Sequence, residues 1–180
     1  MVQCVGSRDD EHPYCSRICC TQAIKNALAI KQRNPQAQVT VLYRDIRSYG
    51  FRELAYRQAR EVGVLFLEYS EKQKLVVMDR ETGRQGDKET PLGVEVVIQP
   101  DGMKVILDAD WVVLSAGIEP NKDNDTLAKL LKVPLSEDGF YLEAHAKLRP
   151  LDFAADGVYL AGLAHSPRFI EETMAQANGA

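Results

Sequence analysis

The chain has 180 residues, 45% of them hydrophobic and 27% charged, with a formal net charge of −4. That length fits one ordinary domain, or one small domain with part of a second, and the composition excludes disordered, collagenous and membrane-embedded classes. The acidic balance, without any Lys/Arg-rich block, excludes a general attraction to nucleic acid or anionic membranes. No apolar run approaches the ~20 residues a bilayer span requires, so no direct membrane insertion is expected. Nor does a charged segment lead into an apolar one at the start, and the expected compartment is the cytoplasm.

In chain order, residues 2–6 read as a short buried strand ending at Gly6, and the polar run Ser7–Pro13 as a loop. A helix is expected to start near Cys19. Its apolar positions Ala23, Ile24, Ala27, Leu28 and Ile30 recur at near-helical spacing, and Asn34-Pro35 ends it. A β-branched strand follows at 38–43, then a second helix from Phe51 to about Val62 stopped by Gly63, then a third strand at 64–69. Strands alternating with such helices predict right-handed βαβ units and a parallel sheet.

Between 72 and 108 the pattern changes to short strands, "KLVVMD", "VEVVIQ" and "KVILD", joined by the turns "RETGRQGDKETPLG" and "PDG". An antiparallel meander is expected, with Asp101-Gly102 as a hairpin turn. Residues 109–117 return as a buried strand closing in Ser-Ala-Gly, and 124–132 as a short helix with Asn124 at its N-cap. A last buried strand is expected at 157–162, and a last helix with Pro167 in its first turn.

All four cysteines fall in "QCVGSRDDEHPYCSRICC", at the junction of the first strand and the first helix. A dinucleotide-binding unit carries G-x-G-x-x-G there. This junction has Gly6 followed by Asp9, Asp10 and Glu11, whose carboxylates would repel a phosphate. Four thiolates can ligate an iron–sulfur cluster or a tetrahedral zinc. The adjacent pair Cys19-Cys20 points in two directions and suits the separate irons of a [4Fe–4S] cubane. Zinc, a redox dithiol or vicinal disulfide, and plain buried thiols remain alternative readings.

Two other stretches are candidates for chemistry. In "GVYLAGLAHSPRFIEETMAQANGA" a strand ends in small residues before a helix, which makes an anion- or flavin-facing turn, with His165 its titratable group; an ordinary βα connection has the same pattern. "YRDIRSYGFRELAY" reads as a charged, solvated helix start, placed after a strand end near the sheet's ligand-binding edge.

Together, "QCVGSRD…PYCSRICC…AIKNA", "VTVLYRDIRSYGFRELAYRQAREVGV" and "DGVYLAGLAHSPRFIEETMAQANGA" resemble the A subunit of heterodisulfide reductase, with the flavoprotein subunits of quinone-interacting membrane-bound oxidoreductase similar too. The resemblance implies a thioredoxin reductase-like architecture. Residues 1–118 would form an α/β, Rossmann-like nicotinamide-type domain with parallel sheet and antiparallel β-meander, and 119–180 the C-terminal part of a split FAD-binding domain. It implies that Cys4, Cys15, Cys19 and Cys20 ligate a [4Fe–4S] cluster beside FAD. By the same resemblance Ser115, Ala116, Gly117, Gly162, Leu163, Ala164, His165, Ile170 and Thr173 belong to a partial FAD site. Where thioredoxin reductase has Ala-Gly-Asp, this chain has Ala161-Gly162-Leu163, so the acidic ribityl contact is missing.

The function so implied is electron relay between FAD and the cluster, in an oxidoreductase fragment that works with other subunits of a redox complex. The competing readings are a pyridine nucleotide-disulfide oxidoreductase fragment using Cys19-Cys20, and a zinc-stabilised interaction domain.

Overall fold

The structure, a computed structural model, describes residues 1–70, 75–79 and 92–180. Of the turn expected at 80–93, residues 80–91 lie outside the described residues, as does Lys74 at the start of "KLVVMD", while Leu92 and Gly93 already belong to a strand, Leu92–Ile98.

Four parallel strands form the first sheet: β1 (Val2–Val5), β2 (Thr40–Tyr43), β3 (Leu65–Glu68) and β7 (Leu114–Ala116), in the order β3-β2-β1-β7. Strand order reverses beside β1, which makes the carboxyl ends of β1 and β7 the topological switch point of this sheet. A second, antiparallel sheet follows the meander pattern, in the order β4 (Val76–Asp79), β5 (Leu92–Ile98), β6 (Met103–Ala109). The hairpin between β5 and β6 pairs Ile98 with Met103, and Gly102 takes the left-handed φ of +66° that its turn requires. This is the mixed α/β, Rossmann-like architecture expected.

Helix α1 (Cys19–Arg33) buries Cys20, Ala23, Ile24 and Ala27 along one stripe. Its last turn is closed by Lys31, whose Nζ donates to the Pro35 and Ala37 carbonyls at 2.6 and 3.0 Å. Helix α2 (Arg52–Glu61) buries Ala59 and stops at Gly63, φ +83°. Pleat alternation then sorts the parallel strands onto two faces. Val41 packs with Ile24, Ala27 and Ala59 under the helices, whereas Val2 and Leu42 pack with Val94 and Val96 of the antiparallel sheet.

The chain divides into two compact units, Met1–Val5 with Cys19–Ala116, and Gly6–Ile18 with Gly117–Ala180. The second has its own core: Ala128 of α3 (Asn124–Leu131) with Val133, Tyr141, Phe153 and Leu160. It ends in a 3₁₀ turn, Gly162–Ala164, and α4 (Ile170–Gly179).

Several expected boundaries shift. Residues 109–113 do not extend β7, because Ala109 pairs with Leu92 in the meander. The strand expected at 157–162 is an isolated pairing instead: Asp152 bridges Tyr159, and Leu160 N–H donates to the Leu151 carbonyl at 2.7 Å. Asn124 does not cap α3. Asp123 holds the cap position without a side-chain bond, and Asn124 is buried with its Nδ2 donating to the Gly139 carbonyl at 2.9 Å. Pro167 precedes α4 by three residues, because Phe169 is still extended (φ −71°, ψ 157°). The Glu172 carboxylate accepts the Phe169 N–H at 2.8 Å and sets the start.

Candidate functional site

In the first unit, Cys4 is the third residue of β1, and Cys19 and Cys20 open α1. Of the four cysteines, Cys20 is buried and the others are half-buried. Ordinary alternation would leave Cys4 on the Val2 face, turned away from α1. Its φ is +60°, however, and the β1–β7 register shifts between Val2 and Val5. A left-handed residue inside a bulge breaks the alternation and re-aims its side chain. Cys19 and Cys20 sit at the positive dipole end of α1, which favours anionic ligands. Cys20 Sγ lies 3.8 Å from the Asp45 carbonyl.

Gln3 and Thr21, the neighbours of Cys4 and Cys20, were not expected site residues. Gln3 is 0% exposed, and neither its Nε2 nor its Oε1 has a hydrogen-bond partner among the described residues; the same holds for the buried Thr21 Oγ1. No sequence pattern marks them, since burial without a partner is visible only in three dimensions. Orphaned donors next to thiols fit a group rich in acceptor sulfur, and the residues here are compatible with a cluster on that ground. Among the described residues, no group of three or more His, Cys, Asp or Glu is gathered as a metal site.

In the second unit the thiol-bearing loop is organised by its own backbone. The Asp9 carboxylate accepts the Glu11 and His12 N–H groups at 3.2 and 2.7 Å, and Arg8 N–H donates to the His12 carbonyl. Amides that would face a pyrophosphate in a glycine-rich loop are engaged internally. Ser16 Oγ accepts the Ile118 N–H at 2.8 Å, and Tyr14 donates its hydroxyl to the Ile118 carbonyl at 2.9 Å. A Cβ on Gly117 would collide with the Gly6 carbonyl oxygen, so backbone alone fits there. The Cys15 sulfur accepts the Arg17 N–H at 3.3 Å, with Arg17 left-handed at φ +58°.

Of the other expected residues, Ser115 is half-buried and Ala116 exposed on β7, while Leu163, Ala164 and Ile170 are exposed. Gly162 is buried at φ +68°, and a Cβ there would meet Thr173 Cγ2 at 2.9 Å. Gln176 ties the turn to α4: its Oε1 accepts the Gly162 N–H at 2.8 Å, and its Nε2 donates to His165 Nδ1 at 3.0 Å. Arg168 Nη2 reaches the same Nδ1 at 2.9 Å, and His165 Nε2 lies 2.7 Å from Glu143 Oε2. Both groups facing Nδ1 are obligate donors, so Nδ1 accepts and Nε2 carries the proton that Glu143 takes up as a hydrogen bond. Burial, then the Arg168 charge, hold His165 below its ordinary value against the opposing pull of Glu143. Burial disfavours the Glu143 carboxylate, yet its own backbone N–H, His165 and Arg168 together hold it below the ordinary range. The result is a neutral imidazole beside an ionised carboxylate.

Cys15, Arg17, Tyr14, Phe140, Glu143 and His165 line one cavity of about 230 Å³. A predicted thiol ligand and the predicted flavin-facing histidine thus share one space, smaller than the ~300–1,000 Å³ of a whole small-molecule site. The larger cavity of about 700 Å³ in the first unit lies at the start of the strands, beside Met1, Thr40 and Trp111, and no expected site residue lines it. Glu143, Arg168 and Gln176 were not expected from the sequence, being scattered over 34 positions with no motif to join them.

At the α4 N-terminus the Phe169 N–H is already bound to Glu172, and Glu171 adds a second acidic residue in the first turn. That end does not fit a phosphate. Within the Gly162–His165 turn the Gly162 N–H is bound to Gln176, the His165 N–H donates to the Gly162 carbonyl, and the Ala164 carbonyl accepts the Tyr141 N–H.

Fold and site therefore define a Rossmann-like α/β unit whose β1–α1 junction bears thiols in place of a phosphate loop, with no helix among the described residues long and apolar enough to cross a membrane. No protein-family model matches the chain. Curated relatives do. The chain is 44% identical, over 99% of its length, to the iron-sulfur A subunit of the CoB–CoM heterodisulfide reductase of Methanocaldococcus jannaschii. It is 40% identical over 99% to the A subunit of the H(2)/formate:CoB-CoM heterodisulfide,ferredoxin reductase of Methanococcus maripaludis. It is 38% identical over 98% to the A subunit of the ferredoxin:CoB-CoM heterodisulfide reductase of Methanosarcina acetivorans. The chain belongs to the family of heterodisulfide reductase A subunits. It spans about a quarter of the length of these relatives, 26%, 26% and 21% respectively. They are reductases by name, hence oxidoreductases.

Proposed function

We propose that this chain is an electron-transfer portion of an iron–sulfur flavoprotein of the heterodisulfide reductase A-subunit type, in which Cys4, Cys15, Cys19 and Cys20 hold a [4Fe–4S] cluster. The observation that carries the reading is Cys4: a non-glycine residue with a left-handed φ at a register shift of β1, in the strand that leads to a helix opened by two more cysteines. When bound, such a cluster supplies one-electron transfer at a potential the protein tunes. The chain's own part is to hold the thiolates, exclude water and supply hydrogen bonds to sulfur.

Residues 119–180 serve, in this proposal, as the C-terminal part of a split FAD-binding domain. Ser115, Ala116 and Gly117 contribute to a partial FAD site from one strand end, and Gly162, Leu163, Ala164, His165, Ile170 and Thr173 from the turn and α4. The relatives' names speak of reductase subunits, which supports the further proposal that the chain works with other subunits of a cytoplasmic redox complex. Cys19 and Cys20 are consecutive in one helix, so their side chains diverge by about 100° around its axis, which counts against a redox disulfide between them.

Anaerobic purification, visible absorption and metal analysis test the reading. A brown chain with about four irons is expected, and Cys→Ser at any of the four positions should lower iron content. A colourless chain with one zinc would overturn it. A metal-free chain with a reversible two-thiol titration would do so in favour of the dithiol.

A further inference from the structure

We propose that Gln3 donates a hydrogen bond to the group held by the junction thiols and thereby raises its reduction potential, with Thr21 acting in the same way from the helix side. The proposal rests on the cluster reading above.

A primary amide buried with no partner costs on the order of 1–3 kcal/mol, and native interiors rarely retain one. Gln3 is buried completely, with both polar side-chain atoms unpartnered among the described residues. Its backbone is settled, because the Tyr69 hydroxyl donates to the Gln3 carbonyl at 2.7 Å. What remains is the side chain. Met1 packs against the cluster formed by α1 and α2, and Val2 against the antiparallel sheet, so the pleat returns Gln3 to the Met1 face, beneath α1. In a right-handed βαβ crossover the helix runs back antiparallel to the strands. The Cys20 end of the stripe Cys20–Ile24–Ala27 therefore covers the carboxyl end of β1, where Gln3 precedes Cys4.

Thr21 is an independent second observation. It follows Cys20 in the first turn of α1, and its hydroxyl is buried without a partner among the described residues. One orphaned donor on the strand and one on the helix, each adjacent in sequence to a thiol, match a ligand with several acceptor sulfurs. Hydrogen bonds to cluster sulfur favour the reduced, more electron-rich state.

The test uses the full chain, reconstituted anaerobically with iron and sulfide, and a redox titration followed by electron paramagnetic resonance. Gln3→Leu should make reduction about tenfold less favourable, about 59 mV more negative for one electron, at unchanged iron content. Thr21→Val should shift in the same direction. The iron-free Gln3→Leu chain should unfold at a higher urea concentration than its parent, because an unpaired buried amide has gone. If the parent chain takes up no iron, the cluster reading fails and this inference with it. If the parent holds its cluster and both variants titrate at the parental potential, as a buried water on Gln3 would give, the inference alone is overturned. Should Gln3→Leu fail to fold, the Thr21→Val titration decides.

Discussion

His165→Ala removes three hydrogen bonds at once: Nε2–H to Glu143 at 2.7 Å, and the bonds that Arg168 and Gln176 donate to Nδ1 at 2.9 and 3.0 Å. Two involve a charged partner, and the His165 and Glu143 side chains are only 13% and 14% exposed. Glu143 keeps its backbone bond and its attraction to Arg168, and Gln176 keeps Gly162, so the loss is smaller than three independent bonds. About 3 kcal/mol at pH 7.5 is expected, which for a chain of this size lowers the melting temperature by roughly 6–12 °C.

The pH dependence separates this network from generic packing. His165 has a folded pKa below its ordinary 6.5. Below pH 6.5 the unfolded chain binds a proton that the folded one refuses, so the stability contributed by neutral His165 is full above that pH. It is lost as pH falls through the lowered folded value, at up to about 1.4 kcal/mol per pH unit. Glu143 and Glu172, both held below 4.5, contribute stability that is lost only at lower pH still. Urea unfolding at pH 7.5 and 5.5 should therefore show the gap between parent and His165→Ala narrowing on acidification. Equal gaps at the two pH values, or imidazole ¹⁵N shifts showing an Nδ1–H tautomer or an imidazolium at pH 7.5, would refute the assignment.

Gly117→Ala should destabilise the second unit by at least about 2 kcal/mol, because its Cβ meets the Gly6 carbonyl rather than a movable side chain; an unchanged urea midpoint would show that this backbone contact is not made. Asn124→Ala should lose about 1–2 kcal/mol with the bond to Gly139, and Asn124→Asp should lose more, since a carboxylate oxygen then faces a carbonyl. Were Asn124 an N-cap, aspartate would serve nearly as well, so a neutral Asn124→Asp would restore the capping role.

The parts legible in the sequence are those carried by local periodicity. Ala23, Ile24 and Ala27 announce α1 because a helix buries one stripe, and Pro35 ends it through its own ring. The meander follows from β-branched runs broken by Asp101-Gly102. What the sequence hides is decided by distant partners. Residues 157–162 have the composition of a buried strand, yet the 151–153 segment pairs with them. Pro167 is suited to a helix start, but the Glu172 carboxylate moves that start to Ile170. At the site, clustering made the four thiols visible. His165 stood out as the titratable group of its turn, whereas Glu143, Arg168 and Gln176 around it are brought in by tertiary packing.

The β1–α1 junction carries its thiols where a dinucleotide-binding unit has its phosphate loop. A dinucleotide loop works by presenting unpaired N–H groups, and glycines supply the left-handed residues that turn those groups inward. Here Gly6 keeps one left-handed position at φ +64°, but Cys4, Arg8 and Arg17 adopt the same region at +60°, +61° and +58° with side chains attached. Each non-glycine residue there costs on the order of 1 kcal/mol, which persists only where the surroundings fix the conformation. The surroundings do so at Arg8, bound to the His12 carbonyl, and at Arg17, whose N–H meets the Cys15 sulfur while its guanidinium bonds Glu172 and the Pro167 carbonyl. The same left-handed geometry at Cys4 breaks the pleat that would have turned its thiol toward the antiparallel sheet. Of the three left-handed non-glycine residues of this junction, Cys4, Arg8 and Arg17, one carries a thiol.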